Sequence, residues 1–220
     1  MSRASDIAYG KIKHYLLSGS AGPGSQLTED QLAAISGVSR TPVRDAVRRL
    51  ETELLVVRSD SNRLFVADWS SNDLEEMFAL RAMMESHGAA RAAARIDSQT
   101  LAELRQVNSE LEAAIGTNPP DIEGFLKHNR RFHDIIVGAA SSPRLAAILP
   151  MLIEQPIVYR TAQRYRREDL EQSASDHREL IAAFETRDAS WAKAVMHSHI
   201  RRAFHSFSTA VLNRSEDSED

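Results

Sequence analysis

The feature that most constrains this chain is the segment 32–50, where a tight turn joins two short helical patterns. Gly37 interrupts the apolar face of the first helix and is a residue that can adopt a positive φ. Ser39 is a suitable N-cap for the second helix, and Pro42 near its start costs no backbone hydrogen bond. The segment therefore predicts a helix-turn-helix.

The second of these helices has an apolar back and a basic front. Apolar residues recur on one side at helical spacing, namely Val43, Ala46, Val47 and Leu50. Arg40, Arg44 and Arg48 are four residues apart and share a different face. Such a helix suits the DNA major groove, because arginine matches the O6/N7 edge of guanine bidentately. The alternative from charge spacing alone is a solvated arginine face on an ordinary surface helix.

After Leu50 the pattern changes from helix to strand. Residues 55–57 and 64–66 are β-prone runs, and the turn-forming residues 60–62 lie between them. Asn62 and Arg63 fall at the predicted hairpin tip, where they could reach the DNA backbone or the minor groove. With a further helical pattern at 7–17, this order of elements predicts a winged helix-turn-helix.

Residues 1 to about 68 resemble the DNA-binding domain of the GntR family of bacterial transcription regulators. The matching residues are Pro23-Gly24, Leu27, Leu32-Ala33, the run from Gly37 to Ala46, and Arg48-Arg49-Leu50. The resemblance implies phosphate contacts from Ser39, Thr41 and Arg49. It implies base contacts from Arg40 and Arg44 with assistance from Arg48, and wing contacts from Asn62 and Arg63.

Two residues depart from the pattern of that family. Leu54 stands where family members usually have a glycine in the turn before the wing, which bears on where the second helix ends. Asp30 lies close to a position where some relatives have an arginine that contacts DNA. An acid at that place is expected to weaken or re-tune the affinity for DNA.

Composition limits what the rest of the chain can be. A hydrophobic share of 42% and a charged share of 26% are those of a globular protein, and 220 residues correspond to one or two domains. Cysteine is absent, which excludes disulfides and thiolate metal sites. The N-terminus lacks the apolar region of a signal peptide and no run is long enough to span a bilayer, so a cytoplasmic location is expected.

The net charge of -4 argues against a protein that coats nucleic acid indiscriminately. Residues 1–68 contain 9 Lys/Arg and 8 Asp/Glu, whereas the remainder contains 18 and 23. Any affinity for DNA must therefore come from a local arginine surface.

The part of the chain from 69 to 212 predicts only helices, which would close an all-α bundle. The predicted helices cover about 72–96, 98–115, 121–140, 142 onward, 168–186, and 188 or 190 to 212. Pro150 and Pro156 are expected to kink or split the fourth, which leaves six or seven helices. The polar and acidic tail 213–220 is expected to be disordered. The predicted fold class is thus mainly α, with a small β-hairpin wing.

Histidines carry the candidate chemistry of this helical part. Asn129 and His133 are four residues apart and share one face of the third predicted helix, whereas His177 and His199 belong to two other helices. One imidazole from each of three packed helices, with an oxygen ligand one turn away, would suit a divalent ion such as Zn or Ni. The alternative is that these histidines are ordinary polar or surface residues.

Residues of about 70–212 resemble the all-helical ligand-sensing (FCD) domain of the FadR branch of GntR regulators, and the number of helices suggests the VanR-like subgroup. The matching residues are Leu80 to Glu85, Asn129 to His133, Asp176-His177 and His199-Ile200. Many relatives bind a divalent metal at such places, which implies Asn129, His133, His177 and His199 as ligands here. A neutral amide is a poorer ligand than a carboxylate, so Asn129 would bind more weakly or through a water molecule.

The resemblance also implies a cavity for a carboxylate effector. Arg81 would either face that cavity and grip a carboxylate, or form a salt bridge with Glu85 four residues on. Tyr159 near the proline-interrupted helix is a further candidate pocket residue.

Together these interpretations predict a metabolite-responsive transcription regulator. It would bind a pseudo-palindromic operator as a homodimer, and a repressor released by its ligand is the favoured direction. Two alternatives stay open on the sequence alone: a metal-dependent enzyme built on the helical part, and an architectural DNA-binding protein without a ligand.

Overall fold

The structure is a computed structural model that describes residues 2–153 and 165–216, with side chains up to residue 206 in the last helix. The chain divides into two compact units, of which the first contains residues up to Leu74. The second unit contains the described residues from Glu75 onward. Among all the described residues, no helix is long and apolar enough to cross a membrane.

The N-terminal unit has three helices and a small sheet. Its elements are α1 (Arg3–Leu17), β1 (Gln26–Leu27), α2 (Glu29–Ser36), α3 (Arg40–Thr52), β2 (Val56–Arg58) and β3 (Leu64–Val66). The sheet is antiparallel in the order β1-β3-β2, with Leu27 opposite Leu64 and Val57 opposite Phe65. This arrangement confirms the predicted winged helix-turn-helix and adds β1, which the sequence did not predict.

A residue with positive φ follows each of the two helices of the helix-turn-helix. Gly37 closes α2 with φ 70°, and its amide donates to the carbonyl oxygen of Ala33. Ser39 is the N-cap of α3, although its hydroxyl makes no capping hydrogen bond there. Leu54 follows the end of α3 with φ 57°, a left-handed conformation that glycine adopts at lower cost. The departure at Leu54 therefore falls where the backbone favours glycine.

The apolar back of α3 is the centre of the first core. Its four inward residues, Val43, Ala46, Val47 and Leu50, are completely buried. They pack with buried residues of α1 and with Leu64 and Val66 of the wing. Because burial fixes this side of α3 inward, its arginines face solvent.

The described residues of the second unit form only helices and the loops that join them. Its elements are α4 (Ser71–Ala93, which begins in the first unit), α5 (Ser98–Gly116), α6 (Ile122–Ala139), α7 (Pro143–Ile153), α8 (Arg167–Glu185) and α9 (Ala189–Glu216). Helix α7 continues past Pro150 to Ile153, while Pro156 lies outside the described residues. Helix α9 extends four residues beyond the predicted end at Leu212. The choice between six and seven helices stays open, since residues 154–164 are not described.

Helices α5, α6, α8 and α9 form the part of this unit that positions the polar interior. Helix α5 packs against both α6 and α8, and α8 packs against α9. Among their apolar residues the interior also encloses polar side chains, namely Asn108, His133, Asp176, His177 and His199, together with Arg81 and Glu85 of α4. Buried polar groups are costly unless they are paired, so this cluster marks the candidate site.

Candidate metal centre and nucleic-acid interface

Three histidines from three helices converge inside the second unit. His133 of α6, His177 of α8 and His199 of α9 are buried, and their ligand atoms all lie within 4.8 Å of one another. The Nε2 atoms of His133 and His199 are 3.2 Å apart. Two nitrogens of a tetrahedral zinc site are separated by about 3.3 Å, given Zn–N bonds of about 2.0–2.1 Å. The spacing of this pair therefore suits a shared divalent ion.

The second nitrogen of each histidine lies beside an oxygen. His177 Nδ1 is 3.2 Å from Asn108 Oδ1, and His199 Nδ1 is 3.1 Å from Asp176 Oδ2. His133 Nδ1 is 2.7 Å from Glu85 Oε2 and pairs with this carboxylate, although the contact does not have the geometry of a hydrogen bond. Oxygen partners of this kind hold the proton on Nδ1 and leave the Nε2 lone pair free to bind a metal.

The two acidic partners are themselves held by arginines. Arg202 donates to both carboxylate oxygens of Asp176, and Gln172 adds a third hydrogen bond at 2.9 Å. Burial disfavours ionised Asp176, but the hydrogen bonds from His199 and Arg202 outweigh this and lower the pKa of the carboxyl. Asp176 is therefore an anion that fixes the orientation of His199.

Glu85 is the corresponding anion beside His133. Its side chain is almost fully buried, and Arg81 donates to Glu85 Oε1 at 3.0 Å. Burial raises the pKa of Glu85, but the charges of Arg81 and His133 overcome this effect and lower it to about 2. An ionised carboxylate thus faces His133 at neutral pH.

Two of the histidines are held neutral by their surroundings. Burial lowers the pKa of His177 well below its usual value, and the neighbouring His199 and His133 act in the same direction. Burial also lowers the pKa of His199, against the opposing influence of Asp176. The ring of His177 is further fixed by Phe132, which stacks on it with ring centroids 3.9 Å apart. Neutral, oriented imidazoles are the form that ligates a metal.

Besides His133 Nδ1, two buried polar atoms near this centre have no hydrogen-bond partner among the described residues. They are His177 Nε2 and Asn129 Oδ1, and Asn129 lies one turn before His133 on α6. A buried acceptor without a partner is destabilising unless something binds it. Three imidazole nitrogens and an amide oxygen are a donor set that suits Zn or Ni, so the residues present fit a divalent ion.

Arg81 is the candidate effector residue that lies within the described part of the chain. Its side chain is 8% exposed, so it points inward, yet it forms the salt bridge with Glu85. The guanidinium also lies 5.0 Å from the ring centroid of Phe78. Burial raises the pKa of Tyr165 to about 12, and the charge of nearby Arg81 opposes that rise. Tyr159, the other candidate pocket residue, lies outside the described residues.

The N-terminal unit presents the second candidate site, the arginine face of α3. The side chains of Arg40, Arg44 and Arg48 are 63%, 57% and 75% exposed. Each is paired with an acid: Arg40 with Asp30, Arg44 with Glu29 and Arg48 with Asp45. The three arginines therefore lie on one accessible surface, and each forms an ion pair with a carboxylate there.

The remaining predicted DNA contacts differ in their surroundings. Ser39 and Thr41 are exposed at the start of α3. Arg49 is more constrained, because its guanidinium lies 3.7 Å from the ring centroid of Tyr9 and donates to Asp6. Asn62 occupies the hairpin tip with φ 60°, where Arg58 approaches it, and exposed Arg63 follows it.

Sequence reasoning missed the residues that orient the histidines. In the sequence, Asp176 and Glu85 stand out only as members of motifs that match the family, Glu85 also as a possible partner of Arg81, and Asn108 belongs to no motif. One signal was available: Asn108 interrupts the apolar stripe of Leu104, Val107 and Leu111 on α5. A polar residue on a core-facing stripe indicates a buried hydrogen bond.

Comparison with known proteins assigns both units to a family. Residues 4–66 match the family "Bacterial regulatory proteins, gntR family", and residues 76–202 match the FCD domain. A relative, the HTH-type transcriptional regulator McbR of Escherichia coli, is 26% identical over 179 residues that cover 80% of each chain. The HTH-type transcriptional repressor GlaR of the same species is 28% identical over 87% of this chain and 90% of its own.

The solved structures that resemble this chain share its fold. The structure of E. coli McbR/YncC superposes with a TM-score of 0.80 at 23% identity and covers 98% of this chain and all of that one. Lar, which controls the expression of the Listeria monocytogenes agr system, superposes with a TM-score of 0.63 at 17% identity, covering 95% and 98%.

Other relatives match over a shorter stretch. The HTH-type regulator YdhC of Bacillus subtilis is 29% identical over 141 residues, and the match spans 62% of the length of that protein. All these relatives are regulators of transcription, and both domain matches are to regulator domains. The chain is therefore a DNA-binding transcription regulator and not an enzyme, and it belongs to the GntR family in the FadR-type branch that carries an FCD domain.

Proposed function

We propose that this regulator is a homodimeric repressor whose helical unit binds one divalent ion, zinc in the first instance, and releases the operator when a small carboxylate binds beside that ion. The observation that carries the proposal is the convergence of three buried histidines whose ligand atoms lie within 4.8 Å. Asn129 would be the fourth and weaker ligand, because its buried Oδ1 has no hydrogen-bond partner in the described residues.

The metal is tested by binding measurements on protein purified without a histidine tag. One equivalent of Zn or Ni per chain is expected, together with its loss in the His177→Ala variant. His128→Ala is the matched control, since His128 pairs with Glu110 of α5 and is not among the three converging histidines. Protein that binds no Zn or Ni, or His177→Ala protein that binds as well as the wild type, would contradict the proposed centre.

The carboxylate effector follows from charge. A bound divalent ion would add two positive charges to an interior where Glu85 already neutralises the Arg81 guanidinium, so an anion beside the ion would be strongly favoured. Two relatives from the genus Bacillus are named gluconate operon transcriptional repressors, which supports the repressor direction.

The role of Arg81 needs a variant that does not leave Glu85 buried and unpaired. Arg81→Ala alone would do so, and breaking a buried pair is costly in stability. We therefore propose the double variant Arg81→Met/Glu85→Gln, titrated with small organic acids against the operator complex. Intact operator binding with a weakened response to acids is expected. A normal response in the double variant would exclude Arg81 as an effector contact.

The dimer is supported by exposed apolar side chains on two adjacent helices. Leu80 and Met83 of α4 and Ile148 and Met151 of α7 are 38% to 56% exposed, and Met84 packs these helices together. The variants Met83→Glu and Ile148→Glu are expected to shift the molar mass in solution from dimer to monomer. Leu54→Glu, which changes an exposed leucine of the other unit, is the control. A monomeric wild type would contradict the proposal.

A further inference from the structure

Two arginines on the exposed face of α3 form ion pairs with acids of α2. Arg40 Nε contacts Asp30 Oδ1 at 2.5 Å, and Arg44 Nε contacts Glu29 Oε2 at 2.8 Å. Both acids occupy the first turn of α2, where a carboxylate is stabilised by the helix dipole. The two pairs bridge the two helices of the helix-turn-helix on its accessible side, so that each cation has an anion beside it.

This pairing changes what the surface can do with DNA. Non-specific binding comes almost entirely from cations that neutralise phosphates, and a paired carboxylate both occupies the arginine and repels a phosphate. With Arg48 also paired to Asp45, three cations and three anions share the surface. Such a surface is expected to have little affinity for DNA of arbitrary sequence.

A paired acid and arginine can still match one kind of base pair. In the major groove guanine offers the acceptors O6 and N7 and cytosine offers the N4 amino donor, whereas arginine donates and a carboxylate accepts. An arginine and a carboxylate side by side thus present the complement of a G·C pair. Exposed pairs of this sort contribute little to folding, so folding stability does not account for them.

We propose that Asp30 and Glu29 are specificity-determining residues of the operator interface, which with Arg40 and Arg44 select G·C pairs and suppress binding to other DNA. This inference rests on the proposed reading of an operator by α3. The acids discriminate in two ways, because they accept from cytosine at the correct site and repel phosphate elsewhere.

The test compares the full-length wild type with the isosteric variants Asp30→Asn and Glu29→Gln. The preferred site of the wild type is first selected from a random duplex pool. Affinities are then measured for that site, for the same site with its G·C pairs changed to A·T, and for random duplex, each at several salt concentrations. The control is Glu185→Gln, which removes an equal charge from an exposed arginine pair of the other unit.

Each variant is expected to bind random duplex more tightly than the wild type, with a log–log salt slope steeper by up to about 1. Preference for the G·C site is expected to fall by about 5-fold or more. The control should match the wild type. A wild type that selects a site while the variants leave both slope and preference unchanged would overturn this inference alone. A wild type that selects no site would overturn the reading of an operator by α3, and this inference with it.

Discussion

At the residue scale, Asp176 controls the orientation of one proposed metal ligand. Asp176→Asn keeps the size of the side chain but removes the charge that pairs with Arg202 and with the His199 Nδ1–H. Loss of such an outer partner typically costs about 10–100-fold in metal affinity, and we expect a loss of that size for zinc in competition with a chelator. Asp134→Asn, which changes an exposed acid paired with Arg130, is the control. Equal affinity in Asp176→Asn and wild type would contradict the role.

Leu54 offers a prediction on stability. A left-handed conformation costs a non-glycine residue about 1–2 kcal/mol, and glycine loses about 0.5–1 kcal/mol through its flexible unfolded state. Leu54→Gly is therefore expected to raise the free energy of unfolding of the N-terminal unit by about 0.5–1 kcal/mol in thermal melts. Leu54→Ala removes the exposed apolar surface but keeps the strain, so it should show no such gain. A gain of equal size in both variants would point to the apolar surface instead.

Glu85 predicts a dependence of stability on pH. Its pKa is lowered from the ordinary value of 4.5 to about 2, so its ionised form favours the folded state. That contribution is fully present above pH 4.5 and declines as the pH falls from 4.5 toward 2. The difference in Tm between wild type and Glu85→Gln should accordingly stay constant from pH 7 to 5 and shrink from pH 4.5 to 3. A difference that is the same at pH 6 and pH 3 would contradict this assignment.

At the scale of elements, α3 carries exposed arginines that we predict to read DNA and other residues that support the fold. Arg44 is exposed, so Arg44→Ala should cost about 1–3 kcal/mol in operator binding, reduce discrimination and leave the Tm unchanged. Arg49 lies against Tyr9 and Asp6, so Arg49→Ala should lower the Tm of the N-terminal unit. Band-shift titrations and melts of both variants measure the two effects. Equal losses of Arg44→Ala on operator and random DNA would make Arg44 a phosphate contact.

Most elements could be predicted because their signals are local. The apolar periodicity of α3, the glycine at Gly37 and the acidic start of α4 each depend on neighbours within a turn or two. Strand β1 could not be predicted, since it consists of only Gln26 and Leu27 and is defined by its pairing with β3. A two-residue strand carries no period of its own, and its partner lies some forty residues away in the chain.

At the scale of the whole molecule, the two compact units each have their own buried core. Calorimetry of the full chain is therefore expected to show two unfolding transitions. A ligand that binds only the folded helical unit raises the Tm of that unit alone, so removal of the proposed ion with a chelator should lower one transition and leave the other. A single transition, or an equal shift of both, would contradict this expectation.

The candidate site could be predicted only in part from the sequence, because its residues are far apart in the chain. Asn129 and His133 share a face of one helix, which spacing alone reveals. The placement of His177 and His199 beside them depends on how α6, α8 and α9 pack, and only resemblance to a family supplied it. The contact between His177 and Asn108 joins residues 69 positions apart, and no local pattern predicts which helix provides such a partner.

The anchoring of the histidines has a consequence for electroneutrality. The two buried acids of the centre are each matched by an arginine, Glu85 by Arg81 and Asp176 by Arg202, so their charges cancel without any ion. A divalent cation held by three neutral imidazoles and a neutral amide would therefore bring two uncompensated charges into the interior. An aspartate in place of Asn129 would cancel one of them; with asparagine, both are left for a counter-anion from solution to balance.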